Sequence, residues 1–324
     1  MLIFYSEAMT LQIPNIDISN GLDTPEVIER LQDACEGWGF FQITGHGIDI
    51  ELRQKFFSAM TAFFDLPKAK KLQLSRSEHN YWGYYDKELT KNKLDSKEIF
   101  DIDANLCRLG KLRSDHPVPW PNEIPQLQTI VIDWLQACEK LSQNLVAAIC
   151  VAMGQASNTL SPFFGNQHSS FLRFNYYPSL AEISPSRDKS EQPGLGIHPH
   201  TDAGAITVLA QDDVAGLQVK KEDTWHTVYP AENSFIINIG DMMQVWSNDR
   251  FTAAEHRVLA SVNQSRLSAP YFYNPSYATI CSPLVSDEQS SHYKPISWNE
   301  FRNGRAAGDY ADQGEEIQIS RFRK

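Results

Sequence analysis

The sequence has few cysteines, and they follow no recognisable spacing. Five cysteines, among them Cys107 and Cys281, are scattered over 324 residues without a Cys-x-x-Cys pair. This odd-numbered set argues against a disulfide framework and a cysteine-based zinc site, and it is typical of a reducing compartment. Cys35, Cys138 and Cys150 fall on predicted apolar helix faces, where we expect small buried hydrophobic side chains.

Signatures of several other function classes are also missing. The chain has no Gly-x-Gly-x-x-Gly turn and no phosphate-binding Gly-Lys-Ser/Thr loop, which argues against a nucleotide cofactor. No apolar run reaches the length of a membrane span, and Glu7 interrupts an amino terminus that lacks the basic residues of a secretory signal. A net charge of -11 without a lysine or arginine cluster argues against a nucleic-acid partner. We therefore expect a cytoplasmic monomer that acts on a small molecule, without nucleic-acid or membrane partners, whose translation starts at Met1 or Met9.

The composition is that of a globular enzyme with two differently patterned parts. At 42% hydrophobic and 21% charged residues, the chain can bury a sizeable core as one large domain or two closely packed ones. Residues 1–160 are predicted to be mainly helical, with a few short strands. Residues 161–324 consist of short runs rich in Val, Ile, Phe and Tyr, separated by Gly, Pro, Asn and Asp, which predicts strands.

Two helices can be predicted in the first part. Thr24 is the predicted N-cap and Pro25 the first helical residue of an amphipathic helix. A longer helix is predicted from Pro125 to Met153, because its apolar residues keep helical spacing throughout. We expect this long helix to lie along a sheet as a scaffold.

The second part contains enough predicted strands for two facing sheets. These runs lie at 171–177, 206–209, 217–219, 225–228, 235–239, 258–262 and 267–273. The polar segment 184–192 is predicted to be a loop beside the site. The tail 303–324 is too polar for a core helix by this pattern, and we expect it to fold over the mouth of the sheet structure.

The most informative residues lie in the last third of the chain. His200 and Asp202 stand two apart in His-Thr-Asp, His256 follows much later, and Arg266 and Ser268 stand two apart in Arg-Leu-Ser. Residues i and i+2 of an extended strand point to the same face, so each close pair can reach one shared partner. The separation of His256 from the first pair predicts that it lies on a later strand of a closed or sandwiched sheet.

Together these five residues predict a metal site with an anion held beside it. Two imidazoles and one carboxylate are the ligand set of non-haem Fe(II), which leaves coordination positions open. The planar guanidinium of Arg266 suits a carboxylate, and Ser268 can add a hydroxyl donor. A lone His-x-Asp would more often be a histidine hydrogen-bonded to a nearby aspartate. The distant histidine and the Arg-x-Ser motif favour the metal site instead.

The chain resembles the Fe(II)- and 2-oxoglutarate-dependent dioxygenases of the isopenicillin N synthase type. In the second part the resemblance rests on His-Pro-His-Thr-Asp at 198–202, Ala-Gly-Leu-Gln-Val at 215–219, Asn-Ile-Gly-Asp at 238–241, Ser-Asn at 247–248 and His-Arg-Val at 256–258. In the first part it rests on Ile-Pro-Asn-Ile-Asp at 13–17, Gly-Phe-Phe-Gln-Ile at 39–43, Phe-Phe-Asp-Leu-Pro at 63–67 and Asp-Ser-Lys-Glu at 95–98. The resemblance implies a mainly β, double-stranded β-helix (jelly-roll) catalytic domain at 161–324, with a helical amino-terminal region at 1–160.

The resemblance also implies a reaction class and its cofactors. His200, Asp202 and His256 would hold Fe(II), and Arg266 and Ser268 would hold the co-substrate 2-oxoglutarate. Enzymes of this type consume O2 and release succinate and CO2 while they hydroxylate, desaturate or cyclise a small substrate, and ascorbate is the expected reductant in vitro. The identity of the substrate does not follow from the resemblance.

Further pocket residues are expected on the strands near this site. By resemblance, Asn175 and Tyr177 help to hold 2-oxoglutarate, and Arg173 shares their face by the two-residue period. A guanidinium in a half-apolar pocket calls for an anion, so Arg173 predicts a substrate with a carboxylate, although a surface ion pair is an equal alternative. Phe272 and Asn274 continue the face of the Arg-x-Ser strand as pocket-lining candidates.

Tyr84 is also a candidate for the substrate pocket. It lies with Tyr81, Trp82 and Tyr85 in a region that often covers the substrate in the resembling family, but aromatic residues of a packed core would look the same.

The other histidines are predicted to be structural. Pro199 and the family pattern favour His200 over His198 as the ligand, and His46 and His226 are expected to pack or hydrogen-bond within the fold. Asp241, which follows a glycine, is predicted to form a turn.

Two alternatives stay open from the sequence. An oxidase of the same fold that does not use 2-oxoglutarate could keep Arg266 and Ser268 in another role. A non-catalytic, cupin-like binding module would leave both residues unexplained. Release of succinate from 2-oxoglutarate distinguishes the dioxygenase from both.

Overall fold

The computed structural model describes residues 12–77, 79–107, 117–165, 167–183, 195–285, 290–308 and 314–324. In these ranges the helices are Pro25–Gly37 (α1), Ile50–Phe64 (α2), Lys68–Leu72 (α3), Leu127–Ala152 (α4), Ser161–Phe164 (α5), Leu180–Ile183 (α6), Asp241–Trp246 (α7) and Trp298–Gly308 (α8). Short 3-10 turns lie at Ala104–Cys107 and Ile319–Phe322. None of the described helices is both long and apolar enough to cross a membrane.

The described strands form two larger sheets and two small two-stranded sheets. They are Asn15–Asp17 (β1), Phe40–Thr44 (β2), Gly83–Tyr85 (β3), Leu89–Thr90 (β4), Lys93–Leu94 (β5), Glu98–Asp103 (β6), Phe171–Tyr177 (β7), Leu195–His200 (β8), Ile206–Gln211 (β9), Leu217–Lys221 (β10), Thr224–Thr227 (β11), Phe235–Ile239 (β12), His256–Leu259 (β13), Arg266–Tyr273 (β14), Ile280–Cys281 (β15) and Ile296–Ser297 (β16). The main sheet has the order β1-β2-β12-β9-β14-β7-β6-β3, and the smaller sheet has the order β11-β10-β13-β8.

The two sheets face each other across an apolar layer, as in a jelly roll. Phe40 and Leu209 of the main sheet pack in one buried cluster with Leu217, Val219 and Val258 of the smaller sheet. Each sheet therefore buries one face against the other sheet, and its opposite face can be covered by a further layer. The predicted jelly-roll fold is therefore present, and the metal-site strands β8 and β13 lie side by side in the smaller sheet.

The outer face of the main sheet is covered by helices. The predicted long helix is α4, which differs from its predicted bounds by two residues at its start and one at its end, and it contacts α1, α2, β9 and β14. Its Trp134 is fully buried and stacks on Phe56 of α2, with ring centroids 4.1 Å apart. The helical spacing of apolar residues therefore predicted the scaffold helix correctly.

Strands from the first part of the chain complete the main sheet. β1, β2, β3 and β6 all lie before residue 160, yet they pair with strands of the second part or with each other in the same sheet. The strand β8 was missing from the predicted apolar runs, because glycine, proline and two histidines interrupt its pattern, although the His-x-Asp spacing had placed His200 on an extended strand. The expected strands of the second part are present, with shifted ends.

Thr24 is the N-cap residue of α1 and Pro25 is its first residue, as predicted. The Thr24 hydroxyl donates to the carbonyl of Gly21 and makes no capping hydrogen bond. The predicted tail, 303–324, begins inside α8, to which it contributes residues 303–308. Arg305 is buried there, at helical spacing from the buried Trp298 and Phe301, which precede the tail. The predicted loop at 184–192 lies outside the described residues.

Candidate metal and co-substrate site

Three potential metal ligands meet where β8 ends beside β13. His200 and His256 are register partners on these antiparallel strands, with ring centroids 4.2 Å apart. Asp202 follows β8 directly, and its Oδ1 lies 3.8 Å from Nε2 of His200 and 3.7 Å from Nε2 of His256. The ligand atoms of all three lie within 4.8 Å of one another. The end of β8, the residue two positions beyond it and the start of β13 thus bring together the three residues that the sequence singled out.

Hydrogen bonds orient the two imidazole rings so that one nitrogen of each ring points towards the space between the three ligands. Nδ1 of His200 lies 2.8 Å from the carbonyl of His198, and Nδ1 of His256 lies 3.3 Å from the carbonyl of Ala254. A carbonyl can only accept, so Nδ1 carries the proton in both rings and Nε2 keeps a free lone pair.

The carboxylate of Asp202 is held in the same way. Its Oδ2 accepts the hydroxyl of Thr207 at 2.5 Å and the side-chain amide of Asn238 at 2.8 Å. Oδ1, which faces the two imidazoles, remains available. Fixing a metal-binding group through its second polar atom is a common feature of metal sites.

The protonation states suit a divalent metal. Burial, together with the neighbouring His256, lowers the pKa of His200 to about 3. Burial alone would raise the pKa of Asp202, but His256 and His200 lower it below its usual value. Near neutral pH the site therefore offers a neutral imidazole at His200 and an ionised carboxylate, the forms that bind metals. Two imidazole nitrogens and one carboxylate oxygen fit non-haem Fe(II).

A buried arginine with a free N–H lies on the opposite wall of the same cavity. Arg266 of β14 is 1% exposed; its Nε donates to the carbonyl of Val214 at 3.1 Å and its Nη2 to Oε1 of Gln211 at 2.8 Å. Its Nη1 is buried without a hydrogen-bond partner among the described residues. Because a buried N–H without an acceptor is costly, this guanidinium is suited to a carboxylate that enters the cavity.

The neighbouring strand supplies polar groups beside this arginine. Tyr177 and Asn175 of β7 are the register partners of Arg266 and Ser268. The Tyr177 ring centroid lies 5.1 Å from Cζ of Arg266, and Nδ2 of Asn175 lies 3.4 Å from the Ser268 hydroxyl. Oδ1 of Asn175 is buried without a partner in the described ranges.

Two glycines make room for this arrangement. A Cβ at Gly216 would lie 3.1 Å from Cδ of Arg266, and a Cβ at Gly196 would lie 2.7 Å from Cδ1 of Tyr177. A side chain at either position would push the anion-binding residues out of place.

A single cavity of about 150 Å³ connects the metal ligands and the buried arginine. It brings together most of the residues that the sequence nominated, namely His200, Asp202, His256, Arg266, Ser268, Asn175, Tyr177, Arg173, Phe272 and Asn274. Asn274 is fixed in the wall, because its side-chain amide donates to the carbonyl of Ser169 at 3.2 Å.

Tyr84 does not line this cavity, and its nomination as a pocket residue was wrong. It is fully buried on β3 among the helical core residues, with its hydroxyl 2.5 Å from Nζ of Lys68. The strand β3 lies at the far edge of the main sheet. Tyr84 is therefore a packing aromatic, the alternative that the sequence had left open.

Arg173 lines the cavity, but its charge is already matched within the chain. Its Nε and Nη2 donate to the two carboxylate oxygens of Asp101 at 2.6 and 2.8 Å, and its Nη1 donates to Glu88 at 2.8 Å. The face predicted for Arg173 was correct. Two buried carboxylates already bind its guanidinium, so the substrate anion that the sequence predicted for Arg173 stays a prediction.

Sequence reasoning missed several residues of the cavity wall. Lys97 and Glu88 form a buried ion pair there at 2.6 Å, and Arg302, Arg305 and Glu316 reach the cavity from the carboxyl-terminal region. The Asp-Ser-Lys-Glu motif and the expected position of the tail over the mouth were the signals that could have identified them.

The remaining nominated residues play structural parts. Nδ1 of His198 lies 3.0 Å from Asp95, His46 contacts the carbonyl of Asn233 at 2.9 Å, and His226 packs edge-on against Trp38. None of these histidines belongs to the metal-ligand cluster found among the described residues.

Asp241, predicted to form a turn, instead begins α7. Its N–H donates to the carbonyl of Asp202 at 2.7 Å, and burial raises the pKa of its carboxyl to about 6.

The sequence matches known protein families over both parts. A model described as 2OG-Fe(II) oxygenase superfamily matches residues 168–275, and one described as non-haem dioxygenase in morphine synthesis N-terminal matches residues 13–126. Jasmonate-induced oxygenase 4 of Arabidopsis thaliana is 31% identical over 90% of this chain and 82% of its own length. The chain belongs to the 2OG-Fe(II) oxygenase superfamily.

Solved structures support the same assignment for this oxygenase. The crystal structure of JOX2 with 2OG, Fe and JA has a TM-score of 0.82 at 29% identity, covering 97% of this chain and 90% of that one. A full-length protein of Neurospora crassa, solved with alpha-KG and thymine, has a TM-score of 0.79 at 26% identity, covering 94% of this chain and 98% of that one. The predicted family, jelly-roll fold, Fe(II) and 2-oxoglutarate dependence and oxygenase activity are confirmed.

Proposed function

We propose that this oxygenase oxidises a small, partly apolar anion. In this proposal His200, Asp202 and His256 hold Fe(II), and Arg266 with Ser268 holds the far carboxylate of 2-oxoglutarate. The observation that carries the proposal is the buried, unpartnered Nη1 of Arg266 in the same cavity as the ligand cluster, among the residues that the structure describes. A dicarboxylic co-substrate matches both ends of this cavity, since one end offers a cation and the other a metal site.

The residues of the chain bind and orient the reactants. When bound, Fe(II) supplies the oxidising chemistry by which 2-oxoglutarate and O2 give succinate, CO2 and an oxidised substrate. The guanidinium of Arg266 donates to the far carboxylate, and Asn175 and Tyr177 stand beside it on β7. The apolar side chains of Leu209 and Leu217 line the cavity between the sheets and exclude water from it.

Arg302 supports the proposal that the substrate is an anion. It lines the cavity from α8, its Cζ lies 5.3 Å from the ring centroid of Phe171, and no carboxylate pairs with it in the described part of the chain. Phe171 stacks on Phe272 with ring centroids 4.5 Å apart, which gives an apolar wall beside the cation. JOX2, a relative in fold and sequence, was solved with JA. We therefore assign the substrate anion to Arg302 rather than to Arg173.

A substrate screen tests the reaction and the substrate class together. Purified enzyme is assayed for succinate release from 2-oxoglutarate under Fe(II), ascorbate and O2, with a panel of small aromatic and aliphatic acids and their neutral amides. The proposal expects acids, and not their amides, to stimulate succinate release. An oxidase of the same fold or a binding module would release no succinate under any of these conditions. Stimulation by neutral compounds alone would contradict the anionic substrate.

The cellular setting is part of the proposal. We infer that the enzyme works as a cytoplasmic monomer in which residues 1–160 pack on the catalytic part at 161–324, with ascorbate as its reductant in vitro. Four cysteines of the described residues are buried and unpaired, which agrees with a reducing compartment. Sedimentation of the purified enzyme tests the monomeric state.

A further inference from the structure

His198 is bonded to Asp95 through both its backbone and its ring. The backbone N–H of His198 donates to Oδ1 of Asp95 at 3.2 Å, and its Nδ1 lies 3.0 Å from the same oxygen. Asp95 is 4% exposed and stands more than a hundred residues earlier in the chain. The backbone and the ring of His198, two positions before His200, are therefore both held by one buried carboxylate.

Asp95 is itself held by a buried network of charges. Its Oδ2 accepts the hydroxyl of Thr90 at 2.7 Å and lies 3.3 Å from Nζ of Lys97. Lys97 also pairs with Glu88 at 2.6 Å. The network has balanced charge, with the carboxylates of Glu88, Asp95 and Asp101 and the cations of Arg76, Lys97 and Arg173. Because both carboxylate oxygens of Asp95 have partners in a buried network, Asp95 is a rigid support.

The carbonyl of His198 connects this support to the ligand cluster. That carbonyl accepts Nδ1 of His200 at 2.8 Å, and this bond sets the tautomer and the plane of the His200 ring. If the peptide at His198 shifted, its carbonyl would move and Nε2 of His200 would turn away from Asp202 and His256. Pro199 lies between the two histidines and has no N–H with which to hold the strand there.

We propose that Asp95 and His198 are positioning residues that orient the metal ligand His200 through the His198 carbonyl. This inference rests on the proposed role of His200 in holding Fe(II). It assigns His198 a role other than ligand, because the cluster of ligand atoms in the described residues consists of His200, Asp202 and His256. It also links the first part of the chain to the metal site, since Asp95 precedes β6.

The test measures metal affinity without turnover. Co(II) is titrated into metal-free enzyme under anaerobic conditions, its visible absorption is recorded, and Fe(II) affinity is obtained by competition. The His198→Ala and Asp95→Ala variants should each bind the metal about tenfold more weakly, the lower end of the effect of losing a residue that orients a ligand. Their Co(II) spectra should also change, because the imidazole of His200 is no longer held in one orientation.

Conservative variants separate positioning from a general loss of stability. In Asp95→Asn the amide oxygen can still accept from the His198 backbone, and in His198→Asn the amide N–H can replace Nδ1, so both should recover most of the affinity. Asp101→Asn is the matched control, because it weakens the same network at Arg173 and Arg76 without touching His198. It should lower the melting temperature while leaving the Co(II) spectrum unchanged.

The outcomes distinguish this inference from the proposed function. If His200→Ala abolishes metal binding while His198→Ala and Asp95→Ala bind like the unaltered enzyme, the positioning role is refuted and the metal assignment stands. If Asp101→Asn changes affinity and spectrum as much as Asp95→Ala does, the network acts through stability alone and the inference also fails. If His200→Ala keeps full metal affinity, the proposed function itself is wrong.

Discussion

Arg266 and Tyr177 face each other on adjacent strands, and the guanidinium carbon of the arginine lies 5.1 Å from the centre of the tyrosine ring. The ring covers one side of the cation, while Gln211 and the carbonyl of Val214 bind two of its nitrogens. Within the described residues, Nη1 is left for a ligand. The chain therefore holds this arginine ready for one anion in one orientation, which is what anchoring a co-substrate requires.

Replacing Arg266 should weaken the binding of 2-oxoglutarate. In Arg266→Ala the far carboxylate would lose its charge partner in a buried pocket, at a cost of about 2–5 kcal/mol, which corresponds to a rise of tens- to thousands-fold in the apparent constant for 2-oxoglutarate. Succinate release measured against 2-oxoglutarate concentration checks this, with weak activity expected at high co-substrate. Arg250→Ala, which removes a half-exposed surface pair with Glu36, is a suitable control. An unchanged constant in Arg266→Ala would favour the oxidase of the same fold.

Each of the three ligand candidates should be required for metal binding. His200→Ala, Asp202→Ala and His256→Ala each remove one donor from the cluster, so we expect loss of oxygen-dependent turnover and of bound iron. His198→Ala should still turn over at saturating Fe(II), because His198 lies outside the ligand cluster of the described residues. Metal content by elemental analysis and melting curves for each variant are the measurements. Retention of iron in His200→Ala together with its loss in His198→Ala would reverse the ligand assignment.

Acid should release the carboxyl-terminal segment from the body of the protein. Burial alone would raise the pKa of Asp249, but bonds from Tyr293, Gln244 and Arg323 lower it to about 2. A carboxyl whose pKa is lower in the folded than in the unfolded protein stabilises the folded state at pH values above its usual pKa. This contribution is lost as the pH falls towards 2. Unfolding free energy measured between about pH 5 and 2.5 should therefore fall less steeply in Asp249→Asn. Equal slopes in both proteins would mean that Asp249 does not stabilise this segment.

The sequence predicted those parts of the site that depend on strand periodicity. The two-residue period placed Arg266 and Ser268 on one strand face. It also placed Arg173 on the face of Asn175 and Tyr177, which the resemblance had assigned to the site, and all five residues line the cavity. The period gives the face of a strand directly, so these predictions needed no knowledge of distant contacts. The placement of His256 beside His200 depends on a distant pairing. Its long separation from the first pair predicted a later strand, and the resemblance to a known family supported it as the third ligand.

Predictions that depend on which distant residues meet were less successful. The face of Arg173 was predicted correctly, yet its partners Asp101 and Glu88 stand 72 and 85 residues away, and no local pattern gives such a pairing. Tyr84 was nominated from an aromatic run, and composition alone cannot separate a core aromatic from a pocket aromatic. Because most residues of α8 are polar, its three buried residues were not recognised in the sequence. The helix, and with it Arg302, was therefore not considered for the site.

The substrate anchor can be separated from the co-substrate anchor by two arginine variants. Arg302→Gln keeps a polar side chain, although a shorter one, and removes its charge. An anionic substrate should lose a charge-assisted bond of about 1.5–3 kcal/mol, which is roughly a ten- to hundredfold rise in its KM. The apparent constant for 2-oxoglutarate and the uncoupled release of succinate should stay as in the unaltered enzyme, because Arg302 lies on α8 and Arg266 on β14.

Arg173→Gln is the comparison for this test, since Arg173 is bound by two carboxylates of the chain. The Arg173→Gln variant should lower the melting temperature, the oxidation of the substrate and the uncoupled release of succinate together. The reason is that Glu88 and Asp101 keep one cation fewer in a buried network. Steady-state kinetics with an acid substrate and with its neutral amide complete the comparison. If Arg302→Gln leaves the KM of the acid unchanged while Arg173→Gln raises it selectively, the substrate anion binds at Arg173. Some hydrogen bonds from that guanidinium to Asp101 and Glu88 would then have to break when the substrate binds.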